Sequence, residues 1–142
     1  MGTNYYLQCK DKETGRCFDM HIGKLSYGWV PNLRAYMPPD GTPQSYQSRE
    51  ELFIIQNFPD LKIDTWRKWK LFLMQQTAAG FRIYNEEDEY FSLRKFFTQV
   101  NNHMKYAKTK GWQTHALKFE STPEHPNWVD PEGFSFSNYA FA

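Results

Sequence analysis

The sequence predicts an α+β fold, a small antiparallel sheet packed against two or three helices, built as a single domain over residues 1–142. Three observations carry that prediction. Between Cys17 and Ile22 the side chains alternate, with Phe18, Met20 and Ile22 on one face and Cys17, Asp19 and His21 on the other, the period of a strand. Leu93, Phe96, Phe97, Val100 and Met104 recur at steps of three and four, the period of a helix. A second helical stripe, Trp66, Trp69, Phe72 and Leu73, follows Asp64-Thr65.

Residues 3–9 read as a first strand with paired tyrosines. The charged stretch 10–16 carries Gly15 where a turn needs positive φ, so the two strands form an N-terminal hairpin with a long loop. Gly23 and Gly28 bracket the next segment, and residues 33–36 suit another short strand. Two prolines, a glycine and a third proline make 37–43 the strongest breaker in the chain, an exposed loop too short to link domains.

Ser48 and Glu51 have capping-box spacing before a short helix over 52–58, which Pro59 stops. The Trp66 helix ends at Gly80, a natural cap. Residues 81–84 form a short strand, 85–89 an acidic turn, and Ser92 caps the Leu93 helix. A strand is expected over 112–119, and 121–127 are irregular. The aromatic tail from Trp128, with Phe134, Phe136, Tyr139 and Phe141, should fold back as a last strand or turn, since exposing it would leave an adhesive patch.

Twelve Phe, nine Tyr and five Trp give a chain of 142 residues enough large side chains to build a core with few aliphatics. No apolar run approaches the roughly 20 residues that cross a bilayer, so no membrane partner is expected. The N-terminus lacks a basic flank followed by an apolar stretch, and Tyr6 stands where an acylation motif wants Ser or Thr. Two cysteines without a secretion signal read as reduced thiols, and the expected location is the cytoplasm, that of the host cell if the chain is phage-encoded. Net charge is +1, yet residues 90–119 contain no acid while Arg94, Lys95, Lys105, Lys108, Lys110 and Lys118 are basic. Acids flank that stretch on both sides, which suits two mutually attracting faces of one domain better than a polyanion-binding surface.

Four constellations bear on chemistry. Cys9, Cys17 and His21 supply zinc-type ligands, but the spacing is C-x7-C with no evident fourth ligand, and idle thiols explain it as well. Cys17, Asp19 and His21 supply the residue types of a nucleophilic triad, yet no elbow, zincin helix or phosphate loop accompanies them, and no enzyme is expected. His21, Lys24, Ser26, Tyr27 and Trp29, around Gly23 and Gly28, form a candidate loop for a small anionic ligand such as a nucleotide; a glycine-shaped turn between strands accounts for the same residues. Lys105, Lys108 and Lys110 with Trp112, in the segment from Lys105 to Lys118, form a candidate nucleic-acid surface, for which a solvated helix end is the alternative. No cofactor is implied.

The opening Met1-Gly2-Thr3-Asn4-Tyr5-Tyr6, followed by His21-Ile22-Gly23-Lys24-x-Ser26-x-Gly28-Trp29, resembles a family of small bacteriophage and prophage proteins. The resemblance continues through Trp66-x-x-Trp69-Lys70, the isoleucine strand and acidic turn over 83–89, Ser92-Leu93-x-x-Phe96, and the tail over 130–141. Many relatives carry a C-x-x-C-G-R knuckle before the His-Ile-Gly-Lys stretch; here only Gly15-Arg16 survives of it, so the fold must hold without metal. The family brings context rather than a mechanism. Small size, aromatic richness suited to an interface, and phage company together imply a non-enzymatic accessory protein that binds and modulates a host macromolecule, by host takeover or as an anti-defence inhibitor. A host protein is the expected partner, with nucleotide and nucleic acid as alternatives, and exposed aromatics would permit a homodimer.

Overall fold

The structure is a computed structural model that describes residues 2–36, 49–111 and 127–137. Its sheet has seven strands: β1 (Gly2–Lys10), β2 (Cys17–Ser26), β3 (Asn32–Arg34), β4 (Arg82–Asn85), β5 (Tyr90–Phe91), β6 (Asn127–Val129) and β7 (Ser135–Ser137). The helices are α1 (Arg49–Asn57), α2 (Trp66–Ala78) and α3 (Leu93–Lys110). Strand order across the sheet is β5-β4-β1-β2-β3-β7-β6.

The α+β class holds, but the sheet is larger than the small one expected and is not wholly antiparallel. β7 lies parallel to β3, with Leu33 beside Phe136, and antiparallel to β6. Residues 127–137 therefore extend the sheet by two strands, β6 and β7, while Tyr139 and Phe141 of the expected tail lie outside the described residues.

The N-terminal hairpin forms as expected, Leu7 opposite Met20 and Cys9 opposite Phe18. Its loop closes on Asp11, whose carboxylate accepts the Thr14 hydroxyl at 2.6 Å and an Asn57 amide N–H at 2.9 Å. Those bonds, the Thr14 hydroxyl foremost, hold the Asp11 carboxyl below its ordinary range. Gly15 has φ 73, the left-handed geometry that loop requires.

Alternation in β2 breaks once. Tyr5 faces Gly23 while Tyr6 faces His21, leaving Ile22 as an extra, unopposed residue. Ile22 and Gly23 thus both face the helices, and Lys24 emerges on the same face as His21. Gly23 is there because β3 comes close: a Cβ would meet Asn32 O at 2.6 Å and Leu33 Cδ2 at 2.8 Å.

All three helices pack on the face bearing Tyr5, Leu7, Phe18, Met20, Leu33, Ile83 and Phe136. Phe53 of α1 stacks on Phe18 at 5.4 Å, and Phe96 of α3 meets Tyr5 at 5.2 Å. In α2, Trp66 and Trp69 are wholly buried, and each contributes on the order of 3–5 kcal/mol by the cost of truncation to Ala. Trp69 donates Nε1–H to Arg34 O at 2.8 Å, tying α2 to β3.

The helix ends follow the sequence. Thr65 caps α2 by accepting from Lys68 N, Ser92 caps α3 by accepting from Lys95 N, and Gly111 closes α3 at φ 66. The first N–H of α2, that of Trp66, is taken by Asp130 Oδ2 at 2.8 Å from the far end of the chain. Asp130 Oδ1 also accepts from Glu132 N at 3.0 Å and Phe134 N at 2.8 Å. α2 ends at Ala78, with Ala79 at the cap and Gly80 following at φ 97. α1 begins at Arg49, earlier than expected, and its expected cap Ser48 lies outside the described residues, as do the 37–43 breaker and the 112–119 strand.

Candidate functional site

Side chains that point away from the helices define the outer face of the sheet. Register places Asn4, Tyr6 and Gln8 there from β1, Cys17, Asp19, His21 and Lys24 from β2, Arg82 and Tyr84 from β4, and Tyr90 from β5. Asn32 and Arg34 of β3, with Ser135 and Ser137 of β7, also lie on it, beside Val129 of β6.

This face divides into two halves. On the β1–β4–β5 side a row of rings crosses four strands: His21 to Tyr6 at 5.3 Å, Tyr6 to Tyr84 at 5.5 Å, and Tyr84 to Tyr90 at 6.2 Å. The Arg82 guanidinium lies 5.2 Å over the Tyr90 ring, which is 55% exposed. The Tyr84 hydroxyl is pushed well above its ordinary range by burial and by its hydrogen bond to Asp19, so it remains a protonated donor.

On the β2–β3–β7 side the face is polar yet buried: Asn32, Arg34, Ser135 and Ser137 are all within 7% of full burial. Arg34 lies 5.0 Å over the Tyr36 ring, and Ser137 Oγ reaches Asn32 Oδ1 at 3.4 Å. His21 stands between the halves. Its Nε2 is 2.8 Å from Asn4 Oδ1, an acceptor, so that nitrogen carries the proton. Burial first, then the charge of Arg34, push the imidazole pKa down to about 4, with Lys24 adding to the effect and a backbone bond to Gly23 opposing it. At neutral pH His21 is an uncharged ring.

The metal candidates do not converge. Cys9 is buried on the helix side, its thiol 3.7 Å from Leu7 O and pushed up to about 12 chiefly by burial. Cys17 is exposed on the opposite face. His21 shares that face, but it lies four positions along the strand from Cys17, about 13 Å of chain. Among the described residues no group of three His, Cys, Asp or Glu is placed to hold a metal ion. The triad types fare no better, since His21 hydrogen-bonds Asn4 and Asp19 serves Tyr84.

In the glycine segment, His21, Lys24 and Ser26 share the outer face by register, and Ser26, the last residue of β2, also opens a tight turn through Tyr27 and Trp29. Trp29 N bonds Ser26 O at 3.2 Å, and Gly28 has φ 89 as its third residue requires. His103 of α3 clamps the turn, its Nε2 being 3.0 Å from Ser26 O and 2.9 Å from Trp29 O. Tyr27 is 83% exposed at its tip. The five residues thus form two groups, one on the sheet and one at a clamped turn, with Ser26 common to both.

Lys105, Lys108 and Lys110 are exposed, and Lys108 and Lys110 fall in the last turn of α3, where they complement the negative end of the helix dipole. Trp112 and Lys118 lie outside the described residues. Sequence reasoning missed Tyr84, Tyr90, Arg34, Ser135 and Ser137. The even spacing of Arg82, Tyr84 and Tyr90 around the acidic turn hinted at the two tyrosines, whereas nothing local marks Arg34, Ser135 and Ser137.

Comparison with known proteins finds no matching family model, curated protein or solved structure. Among the described residues no helix is long and apolar enough to cross a membrane.

Proposed function

We propose that this chain is a non-enzymatic binding protein of phage type that engages and modulates a host protein through the outer face of its sheet. The observation that carries the reading is the His21–Tyr6–Tyr84–Tyr90 row on a face that none of the three described helices covers. Tyrosines offer large, rigid contact area with a polar tip, which suits recognition more than the interior of a core.

Charge on this half favours a protein over a polyanion. Asp19 and Arg82 flank the row, and Glu86, Glu87, Asp88 and Glu89 form the turn joining β4 to β5. A nucleic-acid backbone would meet that carboxylate cluster unfavourably, whereas a protein surface of mixed sign can be matched. The phage-family resemblance supplies the rest of the reading: the partner belongs to the host, and its inhibition in defence or gene expression is the purpose.

Affinity capture from host lysate is the test. One host protein should be retained in stoichiometric amount, unaffected by nuclease. A salt-sensitive shift of nucleic acid, lost when Lys105, Lys108 and Lys110 are replaced, would contradict the proposal.

A further inference from the structure

We infer that the partner meets the β1–β4–β5 half of the outer face through a basic, extended segment, whose arginine or lysine side chains lie on the Tyr6 and Tyr84 rings and reach Asp19, Glu86 and Asp88. The inference rests on that face being the binding surface, and it names the chemistry of what binds there.

Access separates this half from the other. Asn32, Arg34, Ser135 and Ser137 are buried, whereas Asp19, Arg82, Tyr90 and all four acids of the β4–β5 turn are exposed. Tyr6 and Tyr84, in the middle of the row, are half-buried and keep part of each ring open.

Charge gives the sign of the partner. Asp19 stands opposite Gln8, one residue pair along from Tyr6 on the same face, and bonds the Tyr84 hydroxyl. Glu86 is fixed against β1, its Oε1 accepting the Asn4 N–H at 3.1 Å while its own N–H donates to Asn4 O at 3.1 Å. After burial, acids account for the raised hydroxyls of both rings: Glu86 then Asp19 at Tyr6, and Asp19 then Asp88 at Tyr84, where Tyr6 adds to them. Among the described residues none of these three carboxylates is in a salt bridge. The cations of the face stand aside from them: Lys10 ends β1, Lys24 pairs with Asn32 on the β3 side, and Arg82 lies over the Tyr90 ring.

That Arg82 contact, at 5.2 Å, shows a guanidinium already seated on one ring of the row. Tyr6 and Tyr84 offer the same kind of ring with a carboxylate beside each and no cation of the described residues over them. Spacing fits as well. Neighbouring rings are 5.3, 5.5 and 6.2 Å apart, and same-side residues of an extended segment recur about every 6.6–6.8 Å. Cations at alternate positions would therefore meet successive rings.

Titration of the full chain with capped octapeptides alternating glycine with arginine, lysine or glutamate, at constant ionic strength, tests the inference. With a net charge of only +1 the chain has no general attraction for cations, so binding reports the local surface. The arginine and lysine peptides should bind saturably and the glutamate peptide should not. Preference for arginine marks stacking on the rings, and equal binding marks contact through the carboxylates. Asp19→Asn/Glu86→Gln/Asp88→Asn should weaken binding about 10-fold while keeping the acceptor oxygens and, at 88, a residue suited to φ 61. Glu13→Gln/Asp60→Asn/Glu132→Gln, an equal change of charge on exposed acids elsewhere, should leave it within about 2-fold. Asp19→Asn alone, expected to cost about 3-fold, keeps the test open if the triple variant fails to fold. Absent binding, equal binding of the glutamate peptide, or parent-like affinity in the Asp19 variants overturns the inference. Capture from host lysate keeps the two readings apart: a host protein retained by the triple amide variant but lost with Tyr84→Ser/Tyr90→Ser would overturn the basic segment and leave the outer face as the binding surface.

Discussion

The imidazole of His21 faces the carboxamide of Asn4 across the first strand pair, Nε2 2.8 Å from Oδ1, while burial first, then the charges of Arg34 and Lys24, hold the ring uncharged. The ring's pKa falls from the ordinary 6.5 to about 4 on folding. Between those values the unfolded chain binds more protons than the folded one, so stability is complete above pH 6.5 and declines as pH falls towards 4. The loss from this one group reaches about 3 kcal/mol. Urea unfolding from pH 7 to pH 4 should show that decline, and His21→Gln should flatten it; a parent-like slope in the variant would refute the assignment.

Two buried tryptophans on one helix separate packing from hydrogen bonding. Trp69 Nε1 donates to Arg34 O at 2.8 Å, whereas Trp66 Nε1 is buried without a partner. Replacement by Phe shrinks both, but only Trp69→Phe also orphans a carbonyl. Trp69→Phe should therefore cost about 1–3 kcal/mol more than Trp66→Phe in denaturant melts. Equal costs would mean that the Arg34 carbonyl finds another donor.

Asp130 should be among the least replaceable polar residues. It accepts from the N–H groups of Trp66, Glu132 and Phe134 and joins the tail to the start of α2. Asp130→Ala should cost about 2–4 kcal/mol, and Asp130→Asn less, because one acceptor oxygen remains. Hydrogen exchange should report the loss first at Trp66 and Phe134. Unchanged protection there would show that the cap is dispensable.

Gly23 and Gly28 resist substitution for different reasons. Alanine at 23 drives its Cβ against the Asn32 carbonyl at 2.6 Å, and backbone cannot step aside. Alanine at 28 meets open space but must hold φ 89. Gly23→Ala should cost about 2–3 kcal/mol or more and Gly28→Ala about 1–2 kcal/mol, read from urea midpoints. A reversed order would place the strain in the turn.

The thiols should differ as sharply. Cys17 is exposed, while Cys9 is buried and pushed up to about 12. A thiol reagent at pH 8 should label Cys17 rapidly and Cys9 only on unfolding. Comparable rates would place both on the surface.

Much of this architecture was legible in the chain, for reasons of locality. The α3 stripe of Phe96, Val100 and Met104, the Ser92 cap and the opening of α2 after Asp64-Thr65 are set within a few residues, and all lie where expected. β5 has two residues, too few to display a period, so no local pattern marks it between the 85–89 turn and the Ser92 cap. The parallel seating of Phe136 beside Leu33 joins residues about a hundred positions apart, which no local pattern encodes. The Ile22 bulge shifted Lys24 onto the His21 face, where plain alternation would have put it on the other. Hence His21 and Lys24 were found but their companions Arg34, Ser135 and Ser137 were not, since only strand order brings them together.

The central claim is that recognition occurs on the face of the sheet that no described helix covers. Capture from host lysate should be repeated with Tyr84→Ser/Tyr90→Ser and, separately, with Leu71→Ser/Met74→Ser on the exposed side of α2. The account predicts loss of the retained protein for the tyrosine pair alone; loss for the α2 pair with full retention by the tyrosine pair would contradict it.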